Sequence, residues 1–310
     1  MEMAKIILFY KYVDIDNVPE VAKWQRALCT ELELTGRIVL AQEGINGTLG
    51  GQDEQVSKYI QEMNNHPLFG EIDFKESLGV GSECFPKLKI WMRDEICHLG
   101  VDTKKYSPAS GGKHLKPEEV HKLLEENPQD LIIIDTRNKF EADVGRFKDA
   151  IVPDIRYFRE FPKYVDENLE QFKDKQVLMY CTGGIRCERA TSYLKSKDVA
   201  KEIYQIEGGI HRYVEKYPDG FFRGKNYVFD DRVTVKVNDD ILGSCYICQK
   251  PNDDFTNCLN ATCNKHFICC SECKKEYAGT CSRECQELVK EKKVNIRPEF
   301  INTNSKANRK

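Results

Sequence analysis

Long apolar runs are missing from this 310-residue chain. Stretches such as Leu131-Ile132-Ile133-Ile134 fall far short of the roughly 20 residues that cross a bilayer, so no membrane helix is expected. The opening MEMAKIILFYKY has no basic stretch, extended apolar core or small-residue cleavage site. A secretory leader is therefore not expected, and a cytoplasmic location is. Net charge is scarce: 47 Lys and Arg against 50 Asp and Glu leave −3, which excludes a generic polyanion binder. No Gly-x-Gly-x-x-Gly follows an expected strand, so a flavin or nicotinamide fingerprint is lacking. The six histidines form no 2-His-1-carboxylate pattern of the kind that holds non-haem iron. No internal repeat of fixed period is present.

Cysteine, by contrast, is abundant. Fourteen occur, nine of them between Cys245 and Cys285. Without a leader the expected compartment is reducing, so a dense cluster reads as metal ligation rather than as disulfides. Charge is also uneven. Phe85–Lys116 carries seven Lys and Arg against three Asp and Glu, and Gln286–Lys310 has the same counts. Such patches either touch phosphates or are solvated surface.

The periodicities divide the chain into three parts. Residues 1–99 read as strand Lys5–Tyr12, helix Val18–Leu34, strands Arg37–Ala41 and Gly47–Gly50, helix Gln55–Met63 and strand Pro86–Met92. That order is a ferredoxin-like split βαβ, an α+β layer with an antiparallel sheet and helices on one face. Residues 100–116 hold neither period and read as a linker. Residues 117–240 alternate a helix from Pro117 to about Glu126, the strand Asp130–Asp135, a helix near Val165–Phe172, the strand Gln176–Cys181, a helix over Cys187–Ser196 and the strand Ala200–Ile206. Apolar strands alternating with helices predict an α/β domain with a parallel sheet. Asn226–Val237 reads as a strand pair leaving that domain. Residues 241–290 form a cysteine-rich module, and residues 291–310 a flexible basic tail.

The chemistry is expected at Cys181-Thr182-Gly183-Gly184-Ile185-Arg186-Cys187, where a buried strand passes through a glycine loop into a helix. The glycines let backbone N–H groups converge on one point, and the helix N-terminus adds positive potential there. A sulfur at that focus favours the thiolate. Cys181 is the expected nucleophile, Arg186 its cation, and Thr182, Gly183, Gly184 and Ile185 the cradle for an anion or persulfide. Cys187 would either resolve an oxidised Cys181 or simply pack.

The loop Cys-Thr-Gly-Gly-Ile-Arg resembles the active loop of rhodanese domains. Asp135-Thr136-Arg137 with Glu141, and Glu207-Gly208-Gly209-Ile210, resemble other landmarks of that fold. Glu43-Gly44-Ile45-Asn46-Gly47-Thr48, Phe85-Pro86-Lys87-Leu88-Lys89 and Phe229-Asp230-Asp231-Arg232 occur in the same chain. Together they resemble the tRNA uridine(34) hydroxylase family, whose members join an acylphosphatase-like domain to a rhodanese domain. The resemblance implies oxygen-dependent conversion of the wobble uridine to 5-hydroxyuridine, with molecular oxygen as co-substrate, tRNA as partner and Cys181 essential. It raises Asn46, in the Glu43–Thr48 turn, from a plain hairpin residue to a candidate substrate contact. Lys87, Lys89 and Trp91 share one strand face, which is either an RNA surface or a solvated one. Between Cys181 and Arg186 the loop is neutral, so by itself it does not separate hydroxylation from sulfur transfer by a persulfide carrier. A non-catalytic RNA- or protein-binding adaptor is the remaining alternative.

Cys245-x2-Cys248, Cys263-x2-His266, Cys270-x2-Cys273 and Cys281-x3-Cys285 supply eight ligands for two tetrahedral Zn²⁺ ions. A cross-braced order assigns Cys245, Cys248, Cys270 and Cys273 to one ion. It assigns Cys263, His266, Cys281 and Cys285 to the other. Cys258 and Cys269 are left over, and either could replace a neighbour.

Overall fold

A computed structural model of the chain describes residues 4–297. The chain forms two compact units. One comprises the residues up to Asn138 together with Asp149–Tyr217; the other comprises Lys139–Lys148 and the described residues from Pro218 onward.

The first unit opens with β1 (Ala4–Tyr12), α1 (Val18–Glu31), β2 (Thr35–Ala41), β3 (Gly44–Gln52), α2 (Asp53–Asn65), β4 (Lys75–Leu78) and β5 (Leu88–Met92). Helix α1 starts where the sequence allows it. Asn17 caps it, its side chain accepting the Glu20 N–H at 3.2 Å, and Pro19 occupies the first turn, where an N–H is not needed. Its residues Val21, Gln25, Leu28 and Cys29 recur at helical spacing and are buried against the sheet. The strand order is β4-β1-β3-β2-β5. The expected βαββαβ order is present, with one correction to its last strand. Lys75–Leu78 closes the split βαβ beside β1, whereas Leu88–Met92 is an additional strand beside β2 and parallel to it, so the sheet is mixed. Lys-Glu-Ser-Leu shows no apolar alternation, which is why β4 is silent in the sequence.

The segment after β5 is not a free linker. Lys113–Leu115 forms β6, which pairs in parallel with a later strand, and Arg189 donates to the carbonyls of Val101 and Tyr106 at 2.9 and 3.2 Å. The elements that follow are α3 (Pro117–Glu126), β7 (Leu131–Asp135), α4 (Lys139–Ala142), β8 (Gly145–Phe147), α5 (Phe161–Glu167), α6 (Leu169–Phe172), β9 (Gln176–Tyr180), α7 (Ile185–Lys195), β10 (Glu202–Ile206) and α8 (Gly209–Lys216). Within the first unit the sheet β6-β10-β9-β7 is parallel throughout, as the apolar strands predict. Its core gathers Ile134, Phe161, Val165, Phe172, Val177 and Met179.

The second unit takes α4 and β8 from the middle of the chain. It adds β11 (Phe222–Tyr227), β12 (Thr234–Lys236), β13 (Phe255–Asn257), β14 (His266–Ile268), α9 (Ser271–Glu276) and α10 (Arg283–Lys290). Strand β11 pairs with β8 and β12, so the extension expected over Asn226–Val237 lies in this unit rather than with the parallel sheet. The expected basic tail beyond Ile296-Arg297 lies outside the described residues. No described helix is long and apolar enough to cross a membrane.

One buried ion pair fixes the ends of β7 and β9. Arg137 binds Asp135 through Nε at 2.9 Å and Nη2 at 2.6 Å, both side chains fully buried, and the Tyr180 hydroxyl donates to the same carboxylate at 2.8 Å. Removing one partner of such a pair leaves an uncompensated charge, so Arg137→Leu should destabilise the unit by about 3–5 kcal/mol. Urea unfolding followed by circular dichroism measures this; a loss below about 1 kcal/mol would show the pair to be dispensable.

Candidate functional site

Strand β9 delivers Cys181 to the top of the parallel sheet, and α7 begins four residues later. The triplet Asp135-Thr136-Arg137 braces that strand end: Thr136 donates to the Tyr180 carbonyl through its backbone N–H at 3.0 Å and its hydroxyl at 2.9 Å. The loop then turns through Gly184, whose φ of +103° is a left-handed conformation open to glycine. That turn aims the Gly184 N–H at the Cys181 sulfur, 3.1 Å away. Behind the loop stands the Gly208-Gly209 turn. Ile210 and His211 donate their N–H groups to the carbonyls of Cys181 and Thr182 at 2.9 and 3.1 Å. A side chain at Gly209 would meet the Cys181 carbonyl at 2.5 Å, so only glycine permits this approach.

Cys181 is wholly buried. Burial alone pushes its thiol up. The hydrogen bond from the Cys187 thiol, the Arg186 guanidinium and the backbone N–H groups of Arg186 and Gly184 outweigh burial and hold it down, to about 5. Cys187 moves the other way: burial and the neighbouring Cys181 sulfur push it well above the ordinary thiol range. At neutral pH the pair is a thiolate and a thiol that donates to it. Cys187 lies in the same core as Cys181, with its sulfur 3.5 Å from the Thr136 hydroxyl. Arg186 is buried and also reaches the Thr182 hydroxyl at 3.3 Å.

The N-terminal sheet covers this loop. Leu8 and the stem of Lys75 occupy the space a Gly183 side chain would need, and the Tyr10 hydroxyl occupies that of Gly184. The Tyr12 hydroxyl donates to the Ile185 carbonyl at 3.4 Å, and Tyr10 donates to Glu188 at 2.9 Å. Glu188 also meets His114 at 3.1 Å. Lys75, with its side chain 1% exposed, pairs with Asp73 at 2.8 Å. Burial lowers its pKa against the opposing pull of Asp73. On the far side of α7, Arg189 is buried against Glu95 and lies 3.8 Å from Glu43.

Lys75, Tyr10, Glu188 and Arg189 pack around the candidate site, and sequence reasoning missed them. Lys75 sits on the silent strand β4. Glu188 and Arg189 did carry a signal: α7 is buried from Arg186 to Leu194, and a buried helix with that many polar residues has to be paying its charges against something. Asn46 has a backbone partner, donating to the Ile96 carbonyl at 3.0 Å, while Glu43 accepts the Ile96 N–H at 2.8 Å. Contrary to the expected Glu43–Thr48 turn, the turn is confined to Gln42-Glu43, and Asn46 lies within β3 opposite Tyr10 and Val39; Glu43 and Asn46 together clamp Ile96. Lys87 is exposed just before β5. Lys89 lies with its ammonium 5.6 Å from the Trp91 ring centre, and Arg93 approaches the same ring at 5.8 Å.

In the second unit all the cysteines are free, and eight form two groups of four. One holds Cys245, Cys248, Cys270 and Cys273; the other holds Cys258, Cys263, Cys281 and Cys285, each with its sulfurs within 4.8 Å of one another. Sulfur separations of 3.8 Å for Cys248–Cys270, 3.6 Å for Cys263–Cys281 and 3.9 Å for Cys281–Cys285 are those of a tetrahedron with metal–sulfur bonds near 2.3 Å. The donor set therefore fits a metal ion at each centre, in cross-braced order. His266 is a correction: Cys258 takes its place. His266 opens β14 directly opposite Asn257, its Nδ1 3.1 Å from Asn257 Oδ1 and its ring stacked on Phe255. Cys258 is one residue further along, and the alternation of a strand sends it to the opposite side. Cys269 belongs to neither group; its thiol contacts the Cys270 carbonyl.

Residues 4–96 match the UPF0176 acylphosphatase like domain, residues 116–216 the rhodanese-like domain and residues 223–286 the rhodanase C-terminal domain. The chain is 42% identical over 297 residues to the tRNA uridine(34) hydroxylase of Corynebacterium jeikeium, covering 93% of this chain and 96% of that one. It is 42% identical over 284 residues to the protein of that name from Pseudarthrobacter chlorophenolicus, covering 88% and 95%. With the Bacillus licheniformis protein of the same name it shares 39% over 288 residues, covering 91% and 88%.

The thiolate makes a spectroscopic prediction. The ultraviolet thiolate absorbance of the wild type minus that of Cys181→Ser should be constant from neutral pH to about 6 and vanish as pH falls through about 5. A midpoint in the ordinary range, above about 8, would mean that the loop does not stabilise the anion.

Proposed function

The chain belongs to the tRNA uridine(34) hydroxylase family, and from that premise we propose that it converts the wobble uridine of tRNA to 5-hydroxyuridine with molecular oxygen as co-substrate, Cys181 serving as the essential thiolate in a cytoplasmic, reducing setting. The observation that carries the reading is the wholly buried Cys181 sulfur held as an anion by Gly184, Arg186 and Cys187. Arg186 is the fixed cation, Thr182 to Ile185 the cradle, and Cys187 the proton donor that keeps the anion in place. Lys87 and Lys89 with Trp91 present a basic, aromatic strand face suited to RNA. Sulfur transfer through a persulfide on Cys181 is the alternative that uses the same loop.

Nucleoside mass spectrometry of tRNA tests the reading. Cells lacking the gene should lack 5-hydroxyuridine at the wobble position; restoring the wild type should return it, and Cys181→Ser should not, because a hydroxyl supplies no anion at neutral pH. Cys187→Ser should keep a substantial part of the activity. Wobble uridines that gain sulfur in place of oxygen, with no hydroxylated product, would favour the sulfurtransferase.

We assign the two tetrathiolate groups to structural Zn²⁺. Thiolate ligands and tetrahedral spacing suit that ion, and metal binding supplies folding energy to a cysteine cluster with little apolar packing of its own. Elemental analysis should find close to two zinc atoms per chain, one for each group. Cys248→Ser should lose one of them and loosen the unit while the Cys181 thiolate absorbance persists. Metal-free protein with that unit intact would overturn the assignment.

A further inference from the structure

A short segment between β8 and α5 carries a feature that neither the loop chemistry nor the zinc groups use. Residues Ile155 and Phe158 are buried in the core that also contains Cys181 and Cys187. Between and beside them, Arg156, Tyr157 and Arg159 project outward, Tyr157 with 41% of its surface exposed. Its ring is flanked by two guanidinium groups, Arg159 at 4.5 Å and Arg156 at 5.3 Å from the ring centre. An exposed tyrosine with two guanidinium groups packed on its ring brings aromatic surface and fixed positive charge to one spot.

The arginines are not neutralised locally. The nearest carboxylate in the sequence, Glu160, is occupied by the backbone: it accepts the N–H groups of Arg156 at 2.8 Å and Tyr157 at 3.4 Å. Those bonds rigidify the turn while leaving both guanidinium groups without a carboxylate partner among the described residues. Cations elsewhere in this unit are commonly paired, as Lys5 is with Asp53 and Glu76 and Lys201 is with Asp130. The Arg159 side chain also borders Gly100, on the segment leading from β5. Unpaired cations, an exposed ring and a stiffened backbone thus meet on one segment anchored in the core of Cys181.

Resting on the hydroxylase reading, we propose that Tyr157 is a stacking platform for an unpaired base of the anticodon loop, and that Arg156 and Arg159 bind the flanking phosphates. Single-stranded bases are recognised by stacking on aromatic rings and arginine planes, and a pre-ordered platform lowers the entropy lost on binding. Its occupant is single-stranded RNA; a duplex offers no free base face to the ring.

The test is binding of a fluorescently labelled anticodon stem-loop RNA to full-length protein, measured by anisotropy over a range of salt. Tyr157→Ala should weaken binding roughly 5- to 150-fold, the effect of losing one stacked base, while Tyr157→Phe restores it. Arg156→Gln and Arg159→Gln should each lower the slope of log affinity on log salt by about 0.7. Circular dichroism and the Cys181 thiolate absorbance, unchanged in Tyr157→Ala, exclude a folding defect. Binding of Tyr157→Ala within about twofold of the wild type would overturn the proposal, as would failure of the wild type to bind the stem-loop. Wild type that binds the RNA through Tyr157 yet yields no 5-hydroxyuridine would leave the platform standing and sink the hydroxylase reading.

Discussion

A negative sulfur enclosed away from water has to be stabilised by its surroundings, and much of the first unit is arranged around that requirement. An unpaired buried charge costs several kcal/mol, far more than one hydrogen bond returns. The protein answers with several partners at once: the Gly184 and Arg186 amides, the Arg186 guanidinium and the Cys187 thiol. Each has a positional cost. The amides converge only if the backbone adopts a left-handed turn at Gly184, and the turn is held from behind only if Gly209 has no side chain. The strand end that starts the loop is in turn fixed by Thr136 and the Asp135–Arg137 pair.

The N-terminal sheet belongs to the same arrangement, although it has its own core. Its first strand lays Leu8 and Tyr10 over the two loop glycines, and Lys75 brings a buried cation beside them. This supplies from another part of the chain the positive charge that the loop residues between Cys181 and Arg186 lack. Glu43 and Asn46 hold Ile96, and Glu95 receives Arg189, so the segment after β5 is tied both to its own sheet and to α7. Two cores joined by buried polar contacts of this kind behave as one compact body, which accounts for the first unit running through both.

The second unit depends on a different force. Beside a small buried set of Val144, Phe147 and Phe222, its other core cluster is largely cysteine, with Phe267. Burial of apolar area at this scale does little against chain entropy, whereas two metal centres convert binding energy into folding energy. Amide-to-sulfur contacts, such as Cys270 N–H to Cys245 and Asn260 to Cys285, orient the ligands as a second layer of bonding.

The sequence by itself determined whatever depends on near neighbours. The alternation of apolar strands and helices, the strand–glycine–helix context of Cys181 and the paired cysteines are short-range patterns, each confined to a few residues. Tertiary structure decided the rest. Strand β4 has no periodicity and exists because β1 offers it an edge; with β4 came Lys75. Whether Leu88–Met92 closes the split βαβ or lies parallel to β2 depends on which edge is open. Cys258 displaces His266 because β13 and β14 pair in a register that turns the histidine toward Asn257, and spacing along the chain carries no register. Glu188 and Arg189 find Tyr10 and Glu95 across 178 and 94 residues of sequence. A pattern of hydrophobicity can say that such charges must be buried, but only the packed chain says against what.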